Sequence, residues 1–187
     1  MKKKQIVDLV IALVLLLCGC GLLIFPFVKN LSIKSLFIGM LTIYLVLNLI
    51  QFLLTKKSKD YEGLFTSIAS FIVLIIVGSL DINKVPWYLA LSLLIWIIFM
   101  SLIKLKKADY YSDRKKNIWL LKIITLAIFI LTGILTTINL YYSSDVQTIV
   151  LGFFFLIHGI LELMDPITIY LMENSNKKLY INPSKII

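Results

Sequence analysis

Charge is scarce in this 187-residue chain: 16% of its residues are Asp, Glu, Lys or Arg. A water-soluble domain carries about a quarter. Histidine occurs once and cysteine twice. Each shortage excludes something. With 60% hydrophobic residues and a mean hydropathy of +0.97, too little polar surface exists to coat a soluble core. A single histidine excludes metal sites built from several. Cys18 and Cys20 are two positions apart, about 200° around a helix axis. That spacing is neither a zinc-ligand pair nor a Cys-x-x-Cys redox pair, so both read as small residues in a packed helix. No nucleophile elbow, Walker loop or dinucleotide fingerprint occurs. The expectation is therefore a protein that is not an enzyme and takes no cofactor or metal.

What is present are long charge-free runs: 9–28, 35–55, 63–80, 85–103, 123–144 and 146–161. A helix crosses about 30 Å of hydrocarbon in roughly 20 residues. The runs are apolar all round, whereas a barrel strand alternates, and backbone groups in lipid must be satisfied within the segment. The fold class expected is all-α, a polytopic membrane protein of six transmembrane helices. Its spans fall at about 6–28, 31–55, 63–80, 86–105, 119–142 and 146–166, in one domain covering 1–187.

Charge placement orients the spans. Sixteen of the nineteen basic residues lie before the first span, between the second and third, between the fourth and fifth, and after the sixth. The other connections hold Lys29, Lys34 and Lys84. This asymmetry predicts both termini in the cytoplasm. The net charge of +9 then reflects topology and attraction to anionic lipids at the cytoplasmic face. Nucleic acid is not an expected partner, because no segment is long enough for a groove-reading domain; a protein partner or a homo-oligomer is compatible. Met1-Lys-Lys-Lys before an apolar run resembles a signal peptide, but the chain continues into further spans, so a retained first helix is expected. Eighteen of the nineteen basic residues are lysine, which hints at a bacterial source.

Short connections alternate with longer basic ones, so the spans read as three helical hairpins. The turn residues Pro26, Asn83 and Asn139 are 57 and 56 positions apart. Gly39 and Gly152 are 113 apart, about two such periods, while Ile95 and Trp96 stand at the middle position. Three like-oriented hairpins suggest repetition about an axis along the membrane normal. The first helix ends Gly21-Leu-Leu-Ile-Phe-Pro26, and a helix with a central glycine follows. The third hairpin has Gly133-Ile-Leu-Thr-Thr-Ile-Asn139, then Gly152 and His158-Gly159-Ile-Leu-Glu162. A basic stretch at 104–116 precedes Trp119. These features resemble the HdeD-like membrane proteins over nearly the whole chain. The resemblance implies six spans in a bacterial cytoplasmic membrane and, from the family's named member, a link to acid resistance.

Polar residues inside spans are the candidate site, because ionisable groups there are costly. His158 and Glu162 are four apart and share a helix face. An imidazole suits a proton relay. The bland alternative places Glu162 near the inner headgroups, about 24 Å along its helix, with Asp165-Pro166 as an interfacial break or kink. Tyr44, Asn48, Gln51 and Thr55 form one polar stripe; Thr125, Thr132, Thr136, Asn139 and Ser143 form another. Such stripes line a wet cavity or bond neighbouring helices. The proton or polar-ligand site is thus expected among His158, Glu162, Asn48, Gln51, Thr132 and Thr136, with no catalytic or metal-binding residue. Trp87, Tyr88, Trp119, Tyr141 and Tyr142 read as an aromatic belt, and central Trp96 as a packing residue. Two functions are compatible: an HdeD-like envelope or acid-stress protein, or a small transport component, either a substrate-binding membrane subunit or a proton-linked permease.

Overall fold

Long apolar segments leave the backbone one way to satisfy its own polar groups, and the chain takes it. The computed structural model describes residues 3–24, 32–58, 60–80, 87–113, 118–142 and 146–181. Pro26, Asn83, Pro86, Ser143, Lys29, Lys59, Lys84 and residues 114–117 lie outside them. The elements are α1 (Lys3–Ile24), α2 (Ile33–Thr55), a 3-10 turn (Lys56–Ser58), α3 (Glu62–Ser79), α4 (Trp87–Asp113), α5 (Ile118–Tyr142) and α6 (Gln147–Ile181). All six α-helices are long and apolar enough to cross a membrane. The architecture is that of a multi-pass membrane protein.

Local chemistry sets several helix ends. Ser32 Oγ accepts from Ser35 N–H at 3.2 Å and caps α2. Asp60 Oδ1 accepts from Glu62 N–H at 3.1 Å at the start of α3. At its other end, Lys34 Nζ of α2 donates to Leu80 O at 2.7 Å, a cation where the helix dipole favours one. Two helices outrun their expected spans. The expected end of the fourth at 105 is passed because Lys104 and Lys107 have acidic partners inside the bundle, and α4 continues to Asp113. Pro166 does not break α6, which runs through it to Ile181; the proline is buried, and the bundle holds the helix despite one lost backbone bond.

The helices form a ring in chain order, each packed on its two neighbours, with α6 closing onto α1. The hairpin partners α1/α2, α3/α4 and α5/α6 touch, yet the closest packing lies between them, at α1/α6, α4/α5 and α2/α3. Glycine explains much of this difference. A Cβ on Gly19 of α1 would lie 2.5 Å from Leu156 N of α6, and one on Gly159 would lie 2.8 Å from Leu16 N. Gly152 faces Gly19 O at 3.1 Å by the same measure. Gly63 lets α3 start against Asn48 O and Phe52 N of α2, and Ser67 Oγ donates to Leu45 O across that pair at 3.2 Å.

The centre of the ring is filled. Phe37, Leu41, Tyr44, Trp96, Phe129, Phe154 and Phe155 are buried there. Trp96 meets Tyr44, Phe129 and Phe154 edge-on, with centroids 5.6, 6.2 and 6.1 Å away, the geometry that aromatic quadrupoles favour. Its indole N–H donates to Ser70 Oγ at 3.2 Å. Leu17, Leu53, Leu131 and Leu135 lie on the exposed outside, as a lipid-facing surface requires. Cys18 is half-buried, Cys20 is exposed, and both are free.

Candidate functional site

One end of the ring concentrates the charges. It is built from the start of α1, the end of α2, the start of α3, the end of α4, the start of α5 and the latter part of α6. Lys4 bridges Asp60 and Glu62, the latter at 3.1 Å. Lys107 bridges Glu62 at 2.5 Å and Asp165 at 3.2 Å. Lys104 pairs with Glu162, and Lys122 pairs with Asp165. The network thus ties α1, α3, α4, α5 and α6 together. Desolvating so many ions is expensive, and mutual pairing is what offsets that cost.

A small, largely enclosed cavity lies within this network. Asp8, Tyr44, Asn48, Gln51, Glu62, Thr66, Lys104, Lys107, Glu162 and Asp165 line it, with Ile11, Met100 and Ile103. About 20 Å³ is open to the centres of water-sized molecules, room for one or two waters. Gln51 Nε2 donates to Asp8 Oδ1. Asn48 Nδ2 donates to Tyr44 O at 2.8 Å. Gln51 Oε1 is buried with no hydrogen-bond partner.

His158 sits one helical turn deeper. It is 1% exposed and caged by the rings of Tyr44, Trp96, Phe129 and Phe154, with centroids 4.8 to 6.2 Å away. Its Nε2 stands 3.9 Å from Glu162 Oε1, and neither ring nitrogen has a hydrogen-bond partner. A 3.9 Å gap is too long for a hydrogen bond, and the same carboxylate oxygen is held by Lys104. The arrangement places an imidazole where it could pass a proton to a carboxylate at the cavity wall.

The sequence-derived candidates divide. Asn48, Gln51 and Glu162 meet at the cavity, and His158 lies against Tyr44 and Glu162. Glu162 is not a free headgroup-facing acid, being tied to Lys104 with a side chain 17% exposed. Thr132 and Thr136 do not join them. Thr132 donates to Ile128 O and Phe129 O, and Thr136 to Thr132 O, all within α5. Thr125 and Asn139 also bond their own helix. The α5 stripe is self-satisfied, since a hydroxyl reaches the carbonyl one turn back.

Sequence reading missed Asp8, Glu62, Lys104, Lys107 and Asp165, taking the lysines as topology signals. A signal existed. Asn48, Lys104 and Glu162 are separated by 56 and 58 positions, as are Gln51, Lys107 and Asp165, and Tyr44, Met100 and His158. All these residues are on α2, α4 and α6, and all but His158 line the cavity. The internal repeat therefore brings equivalent positions to one place, and at two of its levels supplies an amide, a lysine and an acid. Among the described residues, no group of three or more His, Cys, Asp or Glu is arranged to hold a metal ion. The chain matches no protein-family model, no curated protein and no solved structure.

Proposed function

We propose that this protein is a small ion- or proton-linked transport component of a bacterial cytoplasmic membrane, with both termini and the charged end of the ring facing the cytoplasm. One observation carries the reading: the polar stripe of α2, the ionic groups of α4 and α6, and Asp8 converge on a single cavity inside an otherwise apolar bundle. Ionisable groups kept within membrane spans mark solute and proton pathways. A cavity of about 20 Å³ fits an ion, a proton carrier or a water, and not a vitamin-sized substrate. The basic asymmetry of the connections supports the orientation.

The test is flux. Purified protein in liposomes, loaded with a pH-sensitive dye and given sodium, potassium or proton gradients, is expected to dissipate at least one gradient faster than empty liposomes. The double variant His158→Ala, Glu162→Gln is expected to fold and to lose the pH dependence of that flux. Liposomes indistinguishable from empty ones under all three gradients would remove the transport reading. The HdeD-like kinship stands beside it as a proposal, supported by the threefold recurrence of cavity positions and the close contacts at Gly133, Gly152 and Gly159. Acid survival of cells with and without the protein tests that role.

A further inference from the structure

Counting charge around the cavity leaves one residue over. The described network holds four lysines, Lys4, Lys104, Lys107 and Lys122, each within ion-pair distance of at least one carboxylate. It holds five carboxylates: Asp8, Asp60, Glu62, Glu162 and Asp165. Four of them have a lysine partner. Among the described residues no lysine comes within ion-pair distance of Asp8; its hydrogen bond is to the neutral amide of Gln51, and Lys107 and Lys4 act on it from farther off. With every group ionised the network carries one surplus negative charge, in a place where an uncompensated charge is costly.

A second observation concerns oxygen. Gln51 is 5% exposed and its Oε1 has no hydrogen-bond partner. Asn48, also 5% exposed, donates its Nδ2 to Tyr44 O of its own helix and lines the same cavity. A carboxylate and two amide side chains thus line one small cavity, and one of the amide oxygens has no hydrogen-bond partner. Hard oxygen donors of this kind suit a small hard cation.

We infer that the Asp8–Asn48–Gln51 corner of the cavity takes up one monovalent cation, either a proton on the carboxylate or an alkali ion held by carboxylate and amide oxygens. Loading makes the network neutral. The charged and titratable groups that share the cavity with Asp8 are Tyr44 on α2, Glu62 on α3, Lys104 and Lys107 on α4, and Glu162 and Asp165 on α6, with Lys4 of its own helix bound to Glu62. Lys122 of α5 is engaged by Asp165. Pair by pair, Asp8 is left as the group whose charge loading neutralises, by protonation in one case and by a bound counter-ion in the other. The inference names the solute of the proposed transport reading and rests on it. Binding is nevertheless measured at equilibrium, so a site that loads without flux would remove transport and leave the site.

The experiment uses the full chain in detergent or nanodiscs and reads Tm. At alkaline pH, raising sodium from about 1 mM to about 100 mM, with choline as the control, is expected to raise Tm by about 2–4 °C if the site takes an alkali ion. If it takes a proton instead, sodium has no effect, and acidification from about pH 8 to about pH 5.5 gives a rise of about that size. Either response is expected to vanish in Asp8→Asn, which is neutral at once and sits near the Tm of the loaded protein. The second variant, Gln51→Leu, removes the oxygen donor. It is expected to abolish a sodium response and to leave a proton response in place. Equal responses of wild type and Asp8→Asn to both cations, or no response to either, would overturn the inference.

Discussion

Two helices of this protein carry polar stripes that look alike in the sequence, and the bundle uses them in opposite ways. On α2, Tyr44, Asn48 and Gln51 are buried and face a cavity shared with charged groups from α1, α3, α4 and α6. On α5, Thr125, Thr132, Thr136 and Asn139 each bond a carbonyl of their own helix, and Asn139 is exposed. The difference lies partly in reach. A threonine hydroxyl is short enough to be satisfied one turn back, at little gain or loss. Gln51 is longer, and its amide crosses to Asp8. It lies also in what stands opposite. The residues one and two repeats on from Asn48 and Gln51 are all charged, so the α2 stripe has partners that the α5 stripe lacks.

The comparison is broken most violently at the network around the α2 stripe. Glu62→Gln leaves Lys4 and Lys107 each without one of its carboxylates. Each lysine keeps a second carboxylate, Asp60 or Asp165, so the loss is expected below the roughly 3–5 kcal/mol of a fully orphaned buried charge, at about 2–3 kcal/mol, read as a fall in the unfolding midpoint in denaturing detergent. A change under about 1 kcal/mol would mean that water reaches the network freely. His158→Phe is expected to act the other way. The imidazole has no hydrogen-bond partner in its aromatic cage, so an apolar ring of similar size should raise stability by about 1 kcal/mol while abolishing pH-dependent flux. A destabilised His158→Phe would show that the ring nitrogens are satisfied in the membrane. On α5, Thr132→Val with Thr136→Val is expected to change stability by about 0.5 kcal/mol or less per site, with flux unchanged. A loss of flux there would erase the distinction between the stripes.

The six spans were legible because composition dictates them: nothing but a helix hides that much backbone in lipid. His158, Glu162, Asn48 and Gln51 were legible as polar residues on apolar helix faces. Lys104, Lys107 and Asp8 were not. A charge near the end of a span reads identically whether it meets lipid headgroups or a neighbouring helix, and only the third dimension separates the two. The same holds for Glu162, whose rise along the helix suggested the interface while Lys104 holds it inside. Helix pairing was hidden for a related reason. Short connections suggest hairpins, but packing follows close backbone approach, and Gly19, Gly63 and Gly159 set it between different hairpins rather than within them.

Closure of the ring through α1 and α6 has a consequence for biogenesis. At about 5–20 residues per second, translation reaches the start of α6 roughly 6–25 s after completing α1. Throughout that interval the surface of Ala12, Leu16 and Gly19 that packs on α6 waits for its partner helix, whereas the acids that Lys4 meets, Asp60 and Glu62, are made early in it. The first helix must therefore be held in the bilayer, or beside the insertion machinery, as an unfinished seam. Assembly of the charged cavity is then a late event, completed only when the last helix arrives.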